Sequence, residues 1–223
     1  MTYGLAEFAA EYGVSRETSG RLEKFDTLFL DWSSRHNLVA RSTIDDRWRR
    51  HYRDSAQLYA LIPAGAASLV DLGSGAGFPG LVLAAMGAEA GLEVTLVESI
   101  GKKAAFLQAA IDAMGLETAA VIPQRIESIT ISPPDVVTAR ALAQLGKLLS
   151  YAHEFSTEKT VLILPKGQDV EGELTEAAKS WHMKVEKRPS VTNPGSAILV
   201  IRSLQPKLSS KGAKSPAKAR KSP

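Results

Sequence analysis

Cysteine is absent from the 223 residues. That absence excludes disulfides, thiolate metal sites and a cysteine nucleophile. Histidine is sparse: His36, His51, His153 and His182 fall at no ligand-like spacing, so no metal site is expected. No apolar run approaches the roughly 20 residues that a membrane span needs. The opening Met1-Thr-Tyr-Gly-Leu-Ala-Glu7 has neither a basic n-region nor an apolar h-region, so no export signal is expected. A cytoplasmic protein is the resulting expectation. Aromatic residues make up only 6% of the chain. Four of them, Phe25, Phe29, Trp32 and Trp48, lie within one early stretch.

What is present is an ordinary globular composition, 44% hydrophobic and 23% charged. The net charge of +3 is unevenly spread. Residues 207–223 carry Lys207, Lys211, Lys214, Lys218, Arg220 and Lys221 and no acid. Without those six, 21 basic groups face 24 acidic ones, so the remaining body is acidic. A second basic zone lies at 35–53, where six arginines face only Asp45 and Asp46. Two basic zones on an acidic body suggest a polyanionic partner. The alternative reading is a solvated helix face and a solubilising tail.

The stretch Ser68-Leu-Val-Asp-Leu-Gly-Ser-Gly-Ala-Gly-Phe-Pro-Gly80 organises the chain. Its apolar run fits a buried parallel strand and is too short for a helix. Gly73, Gly75 and Gly77 then predict a sharply turning backbone open to close approach. Pro79 suits the first turn of a following helix. Strand, glycine loop and helix is a nucleotide-binding arrangement. The dinucleotide fingerprint would place a third glycine at 78, which is Phe78, and the Lys-Ser/Thr of a phosphate-binding P-loop is missing. The observed pattern, D-x-G-x-G-x-G, is similar to the first motif of the class I S-adenosylmethionine-dependent methyltransferases.

Before this stretch the chain reads as helical. A short helix over 2–12 stops at Gly13, and Ser15 caps a second that carries Leu22, Phe25, Phe29 and Trp32 on one face. Thr43 followed by Asp46 imitates a capping box for a third, running to about residue 61, which would place Ile44, Trp48, Tyr52 and Tyr59 inward and throw arginines outward. After it, strands alternate with helices, the mark of a parallel sheet. Strands are expected at 68–72, 93–97, 119–122, 135–138 and 160–164. Helices are expected at about 100–114, 141–154 and 169–181. Runs at 183–191 and 196–201 flank Asn193-Pro-Gly195 and predict an antiparallel pair at the sheet edge. The expected organisation is a helical extension over 1–62, a cofactor-binding domain over 63–206 and a disordered basic tail over 207–223.

Ligands of open parallel sheets sit at the carboxyl ends of the strands. The ends here offer the glycine loop, Glu98 to accept hydrogen bonds from ribose hydroxyls, Arg125-Ile-Glu127 to frame an adenine, Ala139-Arg140-Ala141, and Lys166-Gly-Gln168. Together with Arg50-His-Tyr-Arg-Asp-Ser55 and Glu98-Ser-Ile-Gly-Lys-Lys103, these segments resemble the RsmG family, also called glucose-inhibited division protein B, over about 35–170. The resemblance implies an α/β class I (Rossmann-like) methyltransferase fold, a seven-stranded, mostly parallel sheet flanked by helices. It implies methyl transfer from S-adenosylmethionine to N7 of one guanine of 16S rRNA in the 30S subunit, in the decoding-region loop. Cofactor contacts carry over to Gly73, Phe78, Ile126, Glu127 and Arg140. With the strand-end residues, the candidate cofactor set is Asp71, Gly73, Gly75, Gly77, Phe78, Glu98, Arg125, Ile126, Glu127 and Arg140. Glu98 stands where the family often has Asp, with one methylene more reach.

The residues fit that chemistry independently. Guanine N7 is a lone-pair nucleophile with no proton to lose, so no general base is required and none stands out. Methylation at cytosine C5 would need a cysteine. The motif for exocyclic amines belongs after the fourth strand, whereas Ser132-Pro-Pro-Asp135 precedes it. Arg140 and Lys166 are the positioning candidates. Arg47, Arg49, Arg50, His51, Arg53, Lys102, Lys103 and Lys166 are the RNA-binding candidates, on a chain expected to be monomeric. A non-catalytic RNA-binding scaffold and a small-molecule methyltransferase are the competing readings. The intact glycine loop opposes the first and the basic zones oppose the second.

Overall fold

The computed structural model describes residues 3–207. Expectations for the basic tail beyond Lys207 fall outside the described residues. Seven strands form one sheet: β1 (Ser68–Leu72), β2 (Glu93–Val97), β3 (Ala119–Ile122), β4 (Val136–Thr138), β5 (Val161–Lys166), β6 (Trp181–Pro189) and β7 (Ala197–Pro206). Their order is β3-β2-β1-β4-β5-β7-β6. β1 to β5 pair in parallel, and β7 runs antiparallel to both β5 and β6. The mostly parallel, helix-flanked sheet read from the alternation is what forms.

The helices are α1 (Leu5–Tyr12), α2 (Arg16–Arg35), α3 (Asp54–Ala56), α4 (Gly80–Gly87), α5 (Gly101–Met114), α6 (Leu145–His153) and α7 (Val170–Ser180). Ser15 caps α2, its hydroxyl accepting the Thr18 N–H at 3.0 Å. Side chains alternate across the sheet with a period of two. Leu69, Val94, Leu96, Val136 and Ile163 face a core shared with α1, α2, α4 and α5. Val70, Leu72, Val137, Leu162 and Leu164 face the core under α6 and α7. The aromatic stripe of α2 is therefore sheet core. Phe25 contacts Tyr52, Phe78 and Phe106 at ring-centroid distances of 5.5, 5.2 and 6.2 Å. The N-terminal helices pack as the cover of one sheet face.

Several boundaries depart from the sequence reading. No capping box forms at Thr43, because its hydroxyl donates to the Ala40 carbonyl at 2.7 Å and meets His51 Nε2 at 2.9 Å. A 3-10 turn at Arg41–Thr43 and a π-helical turn at Trp48–Arg53 replace the regular helix, and lead into α3. The π turn buries Trp48, His51 and Tyr52 together, and Trp48 stacks on Tyr52 with centroids 4.0 Å apart. The helix expected from 141 starts at Leu145. Ala141 sits at φ 53, outside helical space, and the Leu145 N–H is held by Glu173 Oε2. Pro79 caps α4 instead of lying in its first turn. β6 begins at Trp181 and β7 extends to Pro206, because Trp181 pairs with Pro206 at the far end of the hairpin.

Gly77 has φ +85, and an added Cβ would lie 2.5 Å from Leu81 Cδ1 and 3.2 Å from Phe25 Cζ. The left-handed conformation penalises an L side chain by about 1–2 kcal/mol, and overpacking adds about 1–3 kcal/mol. Gly77→Ala should therefore lower unfolding free energy by roughly 2–5 kcal/mol in urea titrations. An unchanged midpoint would show that the loop relaxes freely.

Candidate active site

The carboxyl end of β1 turns through Gly73 and Gly75, both with positive φ. The loop hangs from the neighbouring strand by the Ser74 N–H, which donates to the Val97 carbonyl at 3.0 Å. Glu98, at the end of β2, fixes it. One carboxylate oxygen accepts the Gly75 N–H at 2.9 Å and the other accepts the Ile100 N–H at 2.8 Å. A cleft of about 330 Å³ opens there, lined by Gly73, Gly75, Glu98, Arg125, Ile126, Glu127 and Arg140 of the expected set. Ile100 and Ile126 give it apolar surface between charged groups. The Tyr151 hydroxyl donates to Glu127 at 2.7 Å and holds that carboxyl below its ordinary range.

Three expected cofactor residues do not line this cleft. Asp71 is fully buried beneath the loop, where the Thr138 hydroxyl donates to Oδ1 at 2.9 Å. Its Oδ2 lacks a hydrogen-bond partner and lies against Gly80, where a Cβ would come within 2.7 Å of it. Burial pushes the Asp71 carboxyl up to about 6, against the Thr138 and Ser74 hydroxyls and the Gly80 backbone, which pull it down. Asp71 thus supports the loop from behind. Gly77 packs on Leu81 and Phe25. Phe78 is buried as a platform, with the His51 ring stacked on it at 5.0 Å and the Arg140 guanidinium 5.4 Å from its centroid.

Arg140 is the pivot of the site. It borders the cleft and, on its other side, a polar cavity of about 470 Å³ lined by Arg49, Arg50, His51, Asp54, Thr192 and Asn193. Its Nη1 reaches the Arg50 carbonyl at 3.4 Å, His51 Nδ1 at 3.3 Å and Asp54 Oδ2 at 3.4 Å. Burial lowers its pKa from the ordinary value, opposed by the Asp54 and Asp71 carboxylates. A third cavity, of about 210 Å³, brings Arg140 and Lys166 together. Lys166 is tethered there to Glu173 at 2.6 Å and to the Ala143 carbonyl at 3.3 Å.

The basic zone at 35–53 divides. Arg49 and Arg50 are exposed on the polar cavity. Arg47 turns inward and forks onto Asp26 at 2.6 and 2.8 Å. Arg53 clamps Glu11 at 2.9 Å. Both are held in ion pairs within the chain, so neither is thrown freely outward as expected. His51 is buried, and desolvation with the nearby Arg140 and Arg50 charges lowers its pKa to about 3. Its ring stacks on Phe78 and its Nε2 meets the Thr43 hydroxyl. Lys103 lines the cleft, and Lys102 lies on a separate pocket beside it.

Sequence reasoning expected the antiparallel pair around Asn193-Pro-Gly195 and missed that its turn reaches the site. Thr192 donates to Asp54 Oδ1 at 2.6 Å, the Val191 N–H donates to Gln57 at 2.9 Å, and Arg53 donates to the Val191 carbonyl at 3.3 Å. These bonds bring Thr192 and Asn193 over the polar cavity. Asp54, their anchor, carried no role in the sequence reading. Only long-range folding makes it one.

The family model of rRNA small subunit methyltransferase G (GidB) matches residues 19–199. The chain belongs to this family. A "Ribosomal RNA small subunit methyltransferase G" from Rhodospirillum centenum is 48% identical over 206 residues, covering 92% of this chain and 94% of that one. The protein of the same name from Rhodospirillum rubrum is 47% identical over 196 residues, covering 87% and 94%. Among solved structures, an O-methyltransferase from Bacillus cereus in complex with SAH matches at TM-score 0.56 and 15% identity, covering 81% of this chain and 90% of that chain. The mitomycin 7-O-methyltransferase MmcR matches at 0.57 and 15%, covering 89% and 72%. At that identity the likeness shows the fold, a Rossmann-like methyltransferase sheet. Within the GidB family match fall the glycine loop, Glu98, Arg140 and the hairpin turn alike.

Proposed function

We propose that this chain transfers a methyl group from S-adenosylmethionine to N7 of a single guanine in the decoding-region loop of 16S rRNA. It acts as a cytoplasmic monomer on the 30S subunit. The observation that carries the reading is the adjacency of two unlike cavities across one partly buried arginine. On one side lies the glycine-lined cleft with Glu98, and on the other a polar cavity rimmed by exposed arginines. The names of the relatives supply the substrate class.

The residues of the cleft fit the cofactor. Glu98 would take the ribose hydroxyls, the bare Gly73 and Gly75 backbone would lie along the methionyl part, and Ile100 and Ile126 would contact the adenine. The bound cofactor supplies a methyl group on a positively charged sulfonium. Everything else falls to positioning. N7 has no proton, so this chain needs no base; the basic groups beside Arg140, His51 and Asp54, are engaged with Arg140, Thr43 and Thr192. Rate then comes from holding the purine nitrogen in line with the methyl carbon, the proximity contribution. A side-chain donor can use only O6 of the guanine, since an ordinary bidentate arginine would cover N7. Arg140, held by three acceptors on the polar side, is placed for one such contact.

Arg140→Ala should therefore affect RNA more than cofactor. Calorimetric Kd for S-adenosylmethionine should weaken by less than about tenfold while kcat/KM for the subunit falls by about a hundredfold or more, the value of a lost charge-assisted hydrogen bond in a desolvated site. The reverse ranking would place Arg140 on the cofactor. The reading as a whole is tested by incubating the protein with labelled cofactor and 30S particles, free 16S rRNA and small metabolites in parallel, then mapping N7-methylguanine by base-specific cleavage. One modified guanine is expected. A label on an exocyclic amine, or on metabolites only, would overturn it.

A further inference from the structure

Beside the cofactor cleft lies a pocket of about 310 Å³ that the reading above leaves unused. Its lining includes Trp32, His36, Leu38, Ile100, Lys102 and Lys103. Ile100 is 52% exposed, and only Val185 and Val191 join it as exposed large hydrophobic side chains among the described residues. The indole of Trp32 is half-buried and already held in place. His36 packs on it with ring centroids 5.4 Å apart, and the buried Phe106 supports it, also at 5.4 Å. Arg35 also borders the pocket and pairs with Asp31. Lys102 and Lys103 form no ion pair among the described residues. No acidic side chain lines the pocket.

An apolar, aromatic floor under a purely cationic rim suits one ligand chemistry above others. A flat base stacks on the ring while its phosphate meets the ammonium groups, as in single-strand nucleic-acid sites. The pocket shares Ile100 and Lys103 with the cofactor cleft, so its occupant lies within a nucleotide's reach of the proposed methyl-transfer site. We propose that this pocket binds an unpaired nucleotide of the substrate RNA next to the target guanine, the base against Trp32 and Ile100 and its phosphate at Lys102 and Lys103. This rests on the RNA methyltransferase reading for the identity of the strand. The binding itself is separately measurable. The pocket anchors the strand beside the residue to be modified, so that the guanine alone needs to be drawn into the polar cavity.

The test uses the full chain saturated with S-adenosylhomocysteine, which keeps the cofactor cleft filled. Tryptophan fluorescence is titrated with single-stranded hexanucleotide RNA, alongside Trp32→Leu and Lys102→Glu. Lys102 is exposed and borders this pocket alone, so its variant keeps the fold and the cleft. Quenching is expected in the wild type and lost in Trp32→Leu, with affinity weakened roughly five- to a hundredfold, the range for one stacked base. Lys102→Glu should weaken affinity and flatten its salt dependence. In turnover, both variants should raise KM for RNA and leave kcat and cofactor affinity in place. Equal quenching in wild type and Trp32→Leu, or an RNA affinity and salt slope untouched by Lys102→Glu, would overturn the pocket. So would quenching by S-adenosylhomocysteine with no further change on adding RNA. RNA quenching that depends on Trp32 in a protein that methylates no RNA would uphold the pocket and overturn the methyltransferase reading.

Discussion

Glu98→Ala should weaken S-adenosylmethionine binding by at least about a hundredfold in calorimetry and lower the urea midpoint as well. The carboxylate is 6% exposed and its two oxygens each hold a backbone N–H, of Gly75 and of Ile100. Hydrogen bonds to a charged acceptor are worth about 1.5–3 kcal/mol each. Alanine removes both, leaves the loop tied to β2 by the Ser74 N–H alone, and deletes the acceptor proposed for the ribose diol. Glu98→Gln separates these effects. Its amide has one acceptor oxygen where two N–H donors converge, so one donor would face an NH2 group. An intermediate loss of about tenfold is expected, since the side chain still fills the site. Equal affinity for all three proteins would remove Glu98 from the cofactor site.

Asp71→Asn should stabilise the protein above pH 7 and leave stability near pH 3.5 almost unchanged. The folded carboxyl titrates at about 6 against 3.8 for an ordinary one, so between those values the folded state keeps a proton that the unfolded chain releases. Its contribution is fully present below about pH 4 and is lost as pH rises through about 6, an effect of about 3 kcal/mol. His51 works in the opposite sense. Its imidazole is neutral in the fold down to about pH 3, whereas the unfolded chain takes up a proton near 6.5. Stability from His51 is present above 6.5 and falls on acidification, by on the order of 3–5 kcal/mol. The two slopes partly cancel in the wild type between about pH 4 and 6. In Asp71→Asn the histidine slope should stand alone, so chemical denaturation across this range should show a steeper acid limb. Parallel profiles for the two proteins would contradict the buried-acid assignment.

The strand pattern was legible because burial on both faces writes it into composition: 161–164 is apolar on consecutive residues, and 68–72 carries Leu69, Val70 and Leu72. The glycine loop and Glu98 were legible for a similar reason, since a turn at positive φ and an acid at a strand end are local demands. The interior of 41–61 was not. Its geometry is set by Trp48, His51 and Tyr52 packing against α2 and Phe78, contacts that no spacing rule contains. The same limit hid the ion pairs of Arg47 and Arg53. A cluster of arginines reads as surface charge until Asp26 and Glu11, 21 and 42 residues away, are seen to pair with them. Asp71 failed differently. Its position in the motif was right, but strand alternation points it under the loop toward α4, away from the cleft.

The bond from Thr192 to Asp54 spans 138 residues. A chain emerging from the ribosome can complete β1, β2 and the cleft between them long before it has a β6–β7 hairpin. Until that last hairpin is released, the polar cavity lacks one wall. Loading of the donor and completion of the polar cavity are thus separated in the order of synthesis, and a fragment ending after β5 would lack the wall that Thr192, Asn193 and Ser196 provide.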